Sequence, residues 1–166
     1  MKPLPSYIEE ALHKPIDYSA DFTARVSSLR GVLSKELGVP FAHDAGMDYS
    51  PAQFVSFVCG ASDVGEKSNY SFDVRYYISS RANLFAVYVF DKKLTVVGDR
   101  ELNHPIDTGR LPPRVQEVIA RGDAVLQESG YREVGFEFFK IHAPGCETQM
   151  DGLPANIFET LFTEIV

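Results

Sequence analysis

Between Tyr70 and Ser79 apolar and polar side chains alternate. Tyr70, Phe72, Val74, Tyr76 and Ile78 fall on one parity, and Ser71, Asp73, Arg75, Tyr77 and Ser79 on the other. A period of two held over this length predicts a strand with one buried face. After Ser80-Arg81-Ala82-Asn83 comes LFAVYVF (84–90), apolar at both parities, which predicts a central strand covered on both sides. Asp91-Lys92-Lys93 then predicts a turn into a third strand over about Leu94–Val97. Connections this short allow only antiparallel pairing, so the three strands form a meander. Upstream, FVSFVC (Phe54–Cys59) is β-branched and aromatic and predicts another strand, although Ser50-Pro51 has the form of a helix start.

Other segments carry a helical period. Phe22, Val26, Leu29, Leu33 and Leu37 recur at spacings of four and three, which predicts a helix over Ala20–Leu37 closed by Gly38 and Pro40. A short helix over about Ser6–His13 has Ser6 and Glu9 in capping-box spacing and is stopped by Pro15. A third helix runs over about Pro113–Ser129 with Val115, Val118, Ile119 and Leu126 inward, and Gly122 on the same side allows close approach to the sheet. YREVGFEFFKI (131–141) alternates and predicts a further strand, with Val134, Phe136 and Phe138 on one face. A terminal helix is expected from Pro154 onward, with Ile157, Phe158, Leu161, Phe162 and Ile165 as its apolar stripe. Large side chains on that stripe would contribute roughly 2 kcal/mol each on burial. Gly98–Leu111 is polar and reads as irregular. The order of elements predicts an α+β fold: a mainly antiparallel sheet of about four to five strands packed against three to four helices. The length of 166 residues suits a single domain over 1–166.

Composition changes this picture little: 45% hydrophobic and 23% charged residues are those of a folded globular chain. No apolar run reaches the ~18 residues of a membrane span, and MKPLPSYIEEALHKPIDYS lacks the basic start and apolar stretch of a signal peptide. Two cysteines, Cys59 and Cys146, give no disulfide framework. A cytoplasmic location is expected, without a membrane partner. Charge is more informative. The net charge is −7, and residues 117–166 hold nine acids against three bases, a net of −6. A field of that sign repels nucleic-acid phosphates and attracts basic partners.

Candidate chemistry is sparse. KIHAPGCETQMDG (140–152) gathers His142, Cys146, Glu147 and Asp151, so His142 and Cys146 are the candidate base and nucleophile of an enzyme. No flanking signature supports them, and Pro144-Gly145 and Asp151-Gly152 are turn signals, so a polar loop is the preferred reading. His13, His43, His104 and His142 are scattered without zinc-ligand spacing; His43, Asp44 and Asp48 form a looser cluster that reads as a solvated loop. No glycine pattern marks a nucleotide site. Neither a metal nor a cofactor nor a catalytic residue is assigned. Cys59 reads as a small buried hydrophobe. Asp73, Arg75 and Tyr77 share the polar face of their strand, a residue mix favoured at interfaces.

In layout the chain resembles bacterial immunity proteins that neutralise polymorphic toxins. The resemblance runs from YSFDVRYYIS and LFAVYVFDKKLTVV through YREVGFEFF to the closing IFETLFTEI. It implies a non-enzymatic protein that masks a cognate, basic toxin, with acidic groups steering the encounter. The expected contacts are Glu137, Glu147, Asp151, Glu159 and Glu164, with Asp73 and Tyr77 as a second patch. The alternative is a small enzyme or ligand-binding domain with an aromatic pocket between sheet and helices, using His142, Cys146 and His104. A third reading is a subunit or adaptor of a larger assembly.

Overall fold

The computed structural model describes residues 3–38, 41–46, 50–59, 70–95, 98–104 and 113–164, with the backbone alone for 41–46, 70–71, 91–95 and 98–104. The fold is α+β. A meander of five antiparallel strands runs in the order β1 (Phe41–Gly46), β2 (Ala52–Cys59), β3 (Tyr70–Ser79), β4 (Leu84–Thr95), β5 (Gly98–His104). A two-residue strand, β6 (Arg132–Glu133), adds to β4 in parallel. The helices are α1 (Ser6–Leu12), α2 (Ala20–Leu37), α3 (Pro113–Glu128) and α4 (Ile157–Leu161). A second, two-stranded sheet pairs β7 (His142–Glu147) with β8 (Pro154–Asn156).

The register sets two cores on the two faces of one sheet. Val55, Phe57, Val74, Tyr76, Ile78, Phe85, Val87 and Val89 meet the apolar stripes of α2 and α3. Gly122 lets α3 approach closely: a Cβ there would lie 1.9 Å from Tyr76 Oη, which donates to Val118 O at 3.2 Å. On the opposite face Tyr77, Leu84 and Ala86 pack with α1, α4, Val134 and Phe139. Phe158 sits in the middle of this second core, with ring centroids 4.7–5.3 Å from those of Phe139, Tyr88 and Tyr77. The last carbonyls of α4 are taken up by side chains from elsewhere: Ser79 Oγ donates to Leu161 O at 2.7 Å, Arg81 Nε to Thr160 O at 2.8 Å and Ser50 Oγ to Phe162 O at 2.8 Å. Carbonyls at a helix end have no intrahelical donor, so these bonds anchor α4 to the sheet.

Several expectations are corrected. Ser6 is the first helical residue rather than the cap: Pro5 holds that position, and its carbonyl receives Ile8 N–H and Glu9 N–H. Asp91–Lys93 do not turn. They stay in β4 because β3 pairs them on one side and β5 on the other. Gly98–His104, expected to be irregular, is the edge strand β5, while 96–97 and 105–112 lie outside the described residues. The predicted strand over 131–141 stops after β6 and becomes a 3-10 turn, Phe136–Phe138. The cause is occupancy. β6 pairs with β4 at Leu84 and Phe85, and the same edge of β4 is taken by β5 from Val89 onward. KIHAPGCETQMDG is not a plain loop, since residues 142–147 form β7. The final helix starts at Ile157 rather than Pro154, because Asn156 and Glu159 form a reciprocal capping box there: Glu159 N–H donates to Asn156 Oδ1 at 2.8 Å and Asn156 N–H to Glu159 Oε2 at 2.9 Å.

Candidate functional site

β7 and β8 place residues 148–153 at the tip of a hairpin. The tip is closed by Thr148 N–H to Leu153 O at 2.8 Å and Gly152 N–H to Thr148 O at 3.0 Å, and Gly152 supplies the positive φ of 68° that the reversal needs. Thr148 Oγ1 donates to Asp151 Oδ1, and Asp151 Oδ1 also accepts Leu153 N–H at 3.2 Å. The hydroxyl and backbone bonds hold the Asp151 carboxyl below the usual carboxylate range. From across the chain, Glu164 accepts Gln149 N–H at 2.9 Å and Met150 N–H at 3.1 Å. The carboxylates thus brace the tip from within, and its apolar side chains point out: Met150 is 72% exposed and Leu153 59%. Across 141–164 the chain has four acids and neither Lys nor Arg. The site is a stiff apolar knob in a negative field.

The expected acidic contacts therefore separate. Glu147 ends β7 beside the tip, and Asp151 and Glu164 brace the tip itself. Glu159 is committed to the α4 cap. Glu137 lies on the 3-10 turn, near enough to raise the Glu133 carboxyl, which burial also raises. Met150 and Leu153 were not singled out from sequence, although two large apolar residues inside the otherwise polar TQMDGL were the available signal.

Asp73 and Tyr77 are corrected as a surface patch. Asp73 is 1% exposed and Tyr77 2%: α4 and the 3-10 segment pack over Tyr77, and Arg75 pairs with Asp73. Arg75 Nη2 donates to Asp73 Oδ2 at 3.2 Å, and the guanidinium lies 4.3 Å from the Phe54 centroid and 4.4 Å from that of Phe90. Asp73 Oδ1 is buried without a hydrogen-bond partner, and Arg75 lies within reach of the Tyr77 hydroxyl although neither Arg75 Nε nor Tyr77 Oη makes a well-aligned bond. Burial raises the Tyr77 phenol, while hydrogen bonding to Arg75 and the Arg75 charge lower it and Asp73 raises it. A buried polar atom left unpaired costs about 1–3 kcal/mol, so this cluster is a local weakness in an otherwise apolar core.

The residues named for the enzyme alternative lie on two strands, β7 and β5. His142 and Cys146 stand four residues apart on β7, a strand whose register shifts between His142 and Glu147. Cys146 Sγ is oriented toward the carbonyls of Leu12, at 3.8 Å, and Pro144, at 3.7 Å. His104 lies in β5, where the side chains are outside the described residues. A cleft of about 470 Å³ lies between α2 and α3 and is lined by Val32, Glu36, Arg121, Ala124, Val125, Glu128 and Ser129, with no aromatic side chain and neither His142 nor Cys146. Among the described residues no group of three or more His, Cys, Asp or Glu converges, and no helix is long and apolar enough to cross a membrane. Cys59 is buried in the α2–α3 core. Compared with known proteins, the chain matches no family model, no curated protein and no solved structure.

Proposed function

We propose that this chain is a protein-binding module of the immunity type, which occupies a basic partner through the 148–153 tip and so masks a toxin. The observation that supports the reading is Met150 and Leu153 held outward on a tip that carboxylates brace from within. A preorganised loop loses little entropy on docking, so its exposed apolar area converts efficiently into affinity. Apolar anchors supply the energy, while the surrounding acids choose a basic-rimmed pocket and speed the encounter. The assembled geometry gives no comparable support to catalysis by His142 and Cys146.

The test is co-expression and calorimetry with the product of the adjacent gene. Wild-type chain should bind it tightly and protect cells from it. Met150→Asp/Leu153→Asp should retain its melting temperature, since both side chains are exposed, and bind at least about 100-fold more weakly, as loss of two anchors predicts. Absence of binding and protection by the wild type, or equal affinity of the double variant, refutes the proposal.

A further inference from the structure

The cleft between α2 and α3 is not used by the tip. Arg114 donates to Leu37 O at 3.2 Å and Arg121 to Glu36 O at 3.4 Å, so the last turn of α2 lies beside residues 114–121 of α3. Val32, one turn earlier on α2, shares the cleft with Val125 and Ser129, further along α3. The two helices therefore run antiparallel, and their C-terminal ends fall at opposite ends of the cleft. Its volume of about 470 Å³ is within the ~300–1,000 Å³ of small-ligand sites. Each end carries a glutamate in the last turn of its helix: Glu36 on α2 and Glu128 on α3. Neither carboxylate has an ion pair or a hydrogen-bond partner among the described residues. The carbonyl end of a helix also favours a cation, and the last turn of α3 has no basic residue, while that of α2 has Lys35. Arg121, the cation in the lining, is already engaged by Glu117 Oε1 at 3.9 Å and by the Glu36 carbonyl. Ser129 Oγ donates to Val125 O at 2.9 Å, which leaves its lone pairs for an incoming donor beside Glu128. Between the two ends the lining is apolar: Val32, 46% exposed, with Ala124 and Val125.

An anion would meet two carboxylates, and a bare metal ion would find no converging group of ligands among the described residues. What complements the cleft is a cation at each end joined by an apolar chain. Arg121 marks the Glu36 end, and Glu128 lies about 10 Å further along α3 at a rise of ~1.5 Å per residue. From this arrangement we infer that the α2–α3 cleft binds a linear alkane diamine in its doubly protonated form. One ammonium donates to the Glu128 carboxylate and Ser129 Oγ, the other to the Glu36 carboxylate, and the methylenes lie over Val32 and Ala124. The site is separate from the hairpin tip and does not depend on the partner-binding reading.

The probe is 1,5-diaminopentane, titrated into the full chain at about 0.15 M salt, which screens unspecific attraction to an acidic protein, and followed by backbone amide NMR. Pentylamine, with one charge, glutarate, with both charges reversed, and magnesium chloride, with no chain, are the controls. The expected result is saturable shifts confined to residues 28–37 and 117–131. Pentylamine should bind about two- to fivefold more weakly for loss of one exposed ion pair, and glutarate and magnesium should leave these residues unshifted. Glu128→Lys puts a cation at the end of α3, and Val32→Lys puts one in the middle of the cleft. Both positions are exposed, so each variant should keep its melting temperature and lose saturable binding. Should one variant fail to fold, the other and the comparison of probes decide. Absence of saturation, equal shifts over residues 148–164, equal binding of any control, or undiminished binding by a folded lysine variant overturns the inference and leaves the cleft a solvated seam between two helices.

Discussion

Asp123 is a carboxylate in an unfavourable place. It follows Gly122 on the buried side of α3, its Oδ1 has no hydrogen-bond partner, and burial together with the Glu133 carboxyl pushes its pKa from 3.8 up to about 7. A raised carboxylate pKa means that the folded state holds the proton more tightly than the unfolded chain does. The contribution to stability is full below about pH 4 and is lost as the pH rises through about 7. Glu133 is also raised, by burial and then by Glu137, so it adds a slope of the same sign. Asp123→Asn removes the larger part of this slope. At pH 8 the variant should exceed the wild type by about 1–2 kcal/mol, discounted for partial solvent screening. The difference should vanish near pH 4, as read from urea midpoints at the two pH values. Equal midpoints at pH 8 would show that Asp123 is not desolvated.

At the scale of elements, the hairpin tip depends on one remote residue. Glu164→Ala removes the acceptor of both Gln149 N–H and Met150 N–H. Amide exchange at 149 and 150 should accelerate by at least about tenfold, while a partly exposed substitution moves global stability by only about 0.5–1 kcal/mol. Unchanged exchange would mean that the tip is stiff without this brace. No local pattern announces such a contact, because residues 149 and 164 are brought together only by β7, β8 and α4. Elements with a strong period were legible: α2 has the expected bounds Ala20–Leu37, and β2 and β3 lie where composition and alternation put them. What failed to read was set by competition between elements. The alternation in 131–141 is genuine, yet only two residues find a free edge of β4. Asp91–Lys93 looks like a turn in isolation and is a strand because two neighbours pair with it. The site was half legible for the same reason: the acids of the hairpin could be counted, but which of them turn inward depends on the tertiary fold. Asp73 and Tyr77 share a parity with polar residues, yet both are buried, Tyr77 beneath α4.

For the whole molecule, the decisive feature is that one sheet carries both cores. Tyr76 and Tyr77 are neighbours in sequence and belong to opposite clusters, so the backbone of β3 is common to both. Neither cluster can dissolve without exposing one face of the sheet that the other needs. The molecule should therefore unfold as one unit. Leu33→Ala tests the α2 side and Phe158→Ala the α4 side, and each should cost about 2–5 kcal/mol by truncation of a fully enclosed side chain. That is a large share of the ~5–15 kcal/mol expected for a domain. Both variants should lower the urea midpoint of a single transition and leave its slope unchanged, since the surface exposed on unfolding is the same. Tyrosine emission, far-ultraviolet dichroism and amide exchange of α2 and α4 should report coincident midpoints. A separate early loss of α4 in Phe158→Ala, with α2 still protected, would show that the second core is an accessory layer. The hairpin tip would then be carried on a part of the molecule that melts on its own, and binding through Met150 and Leu153 would fade at that lower midpoint.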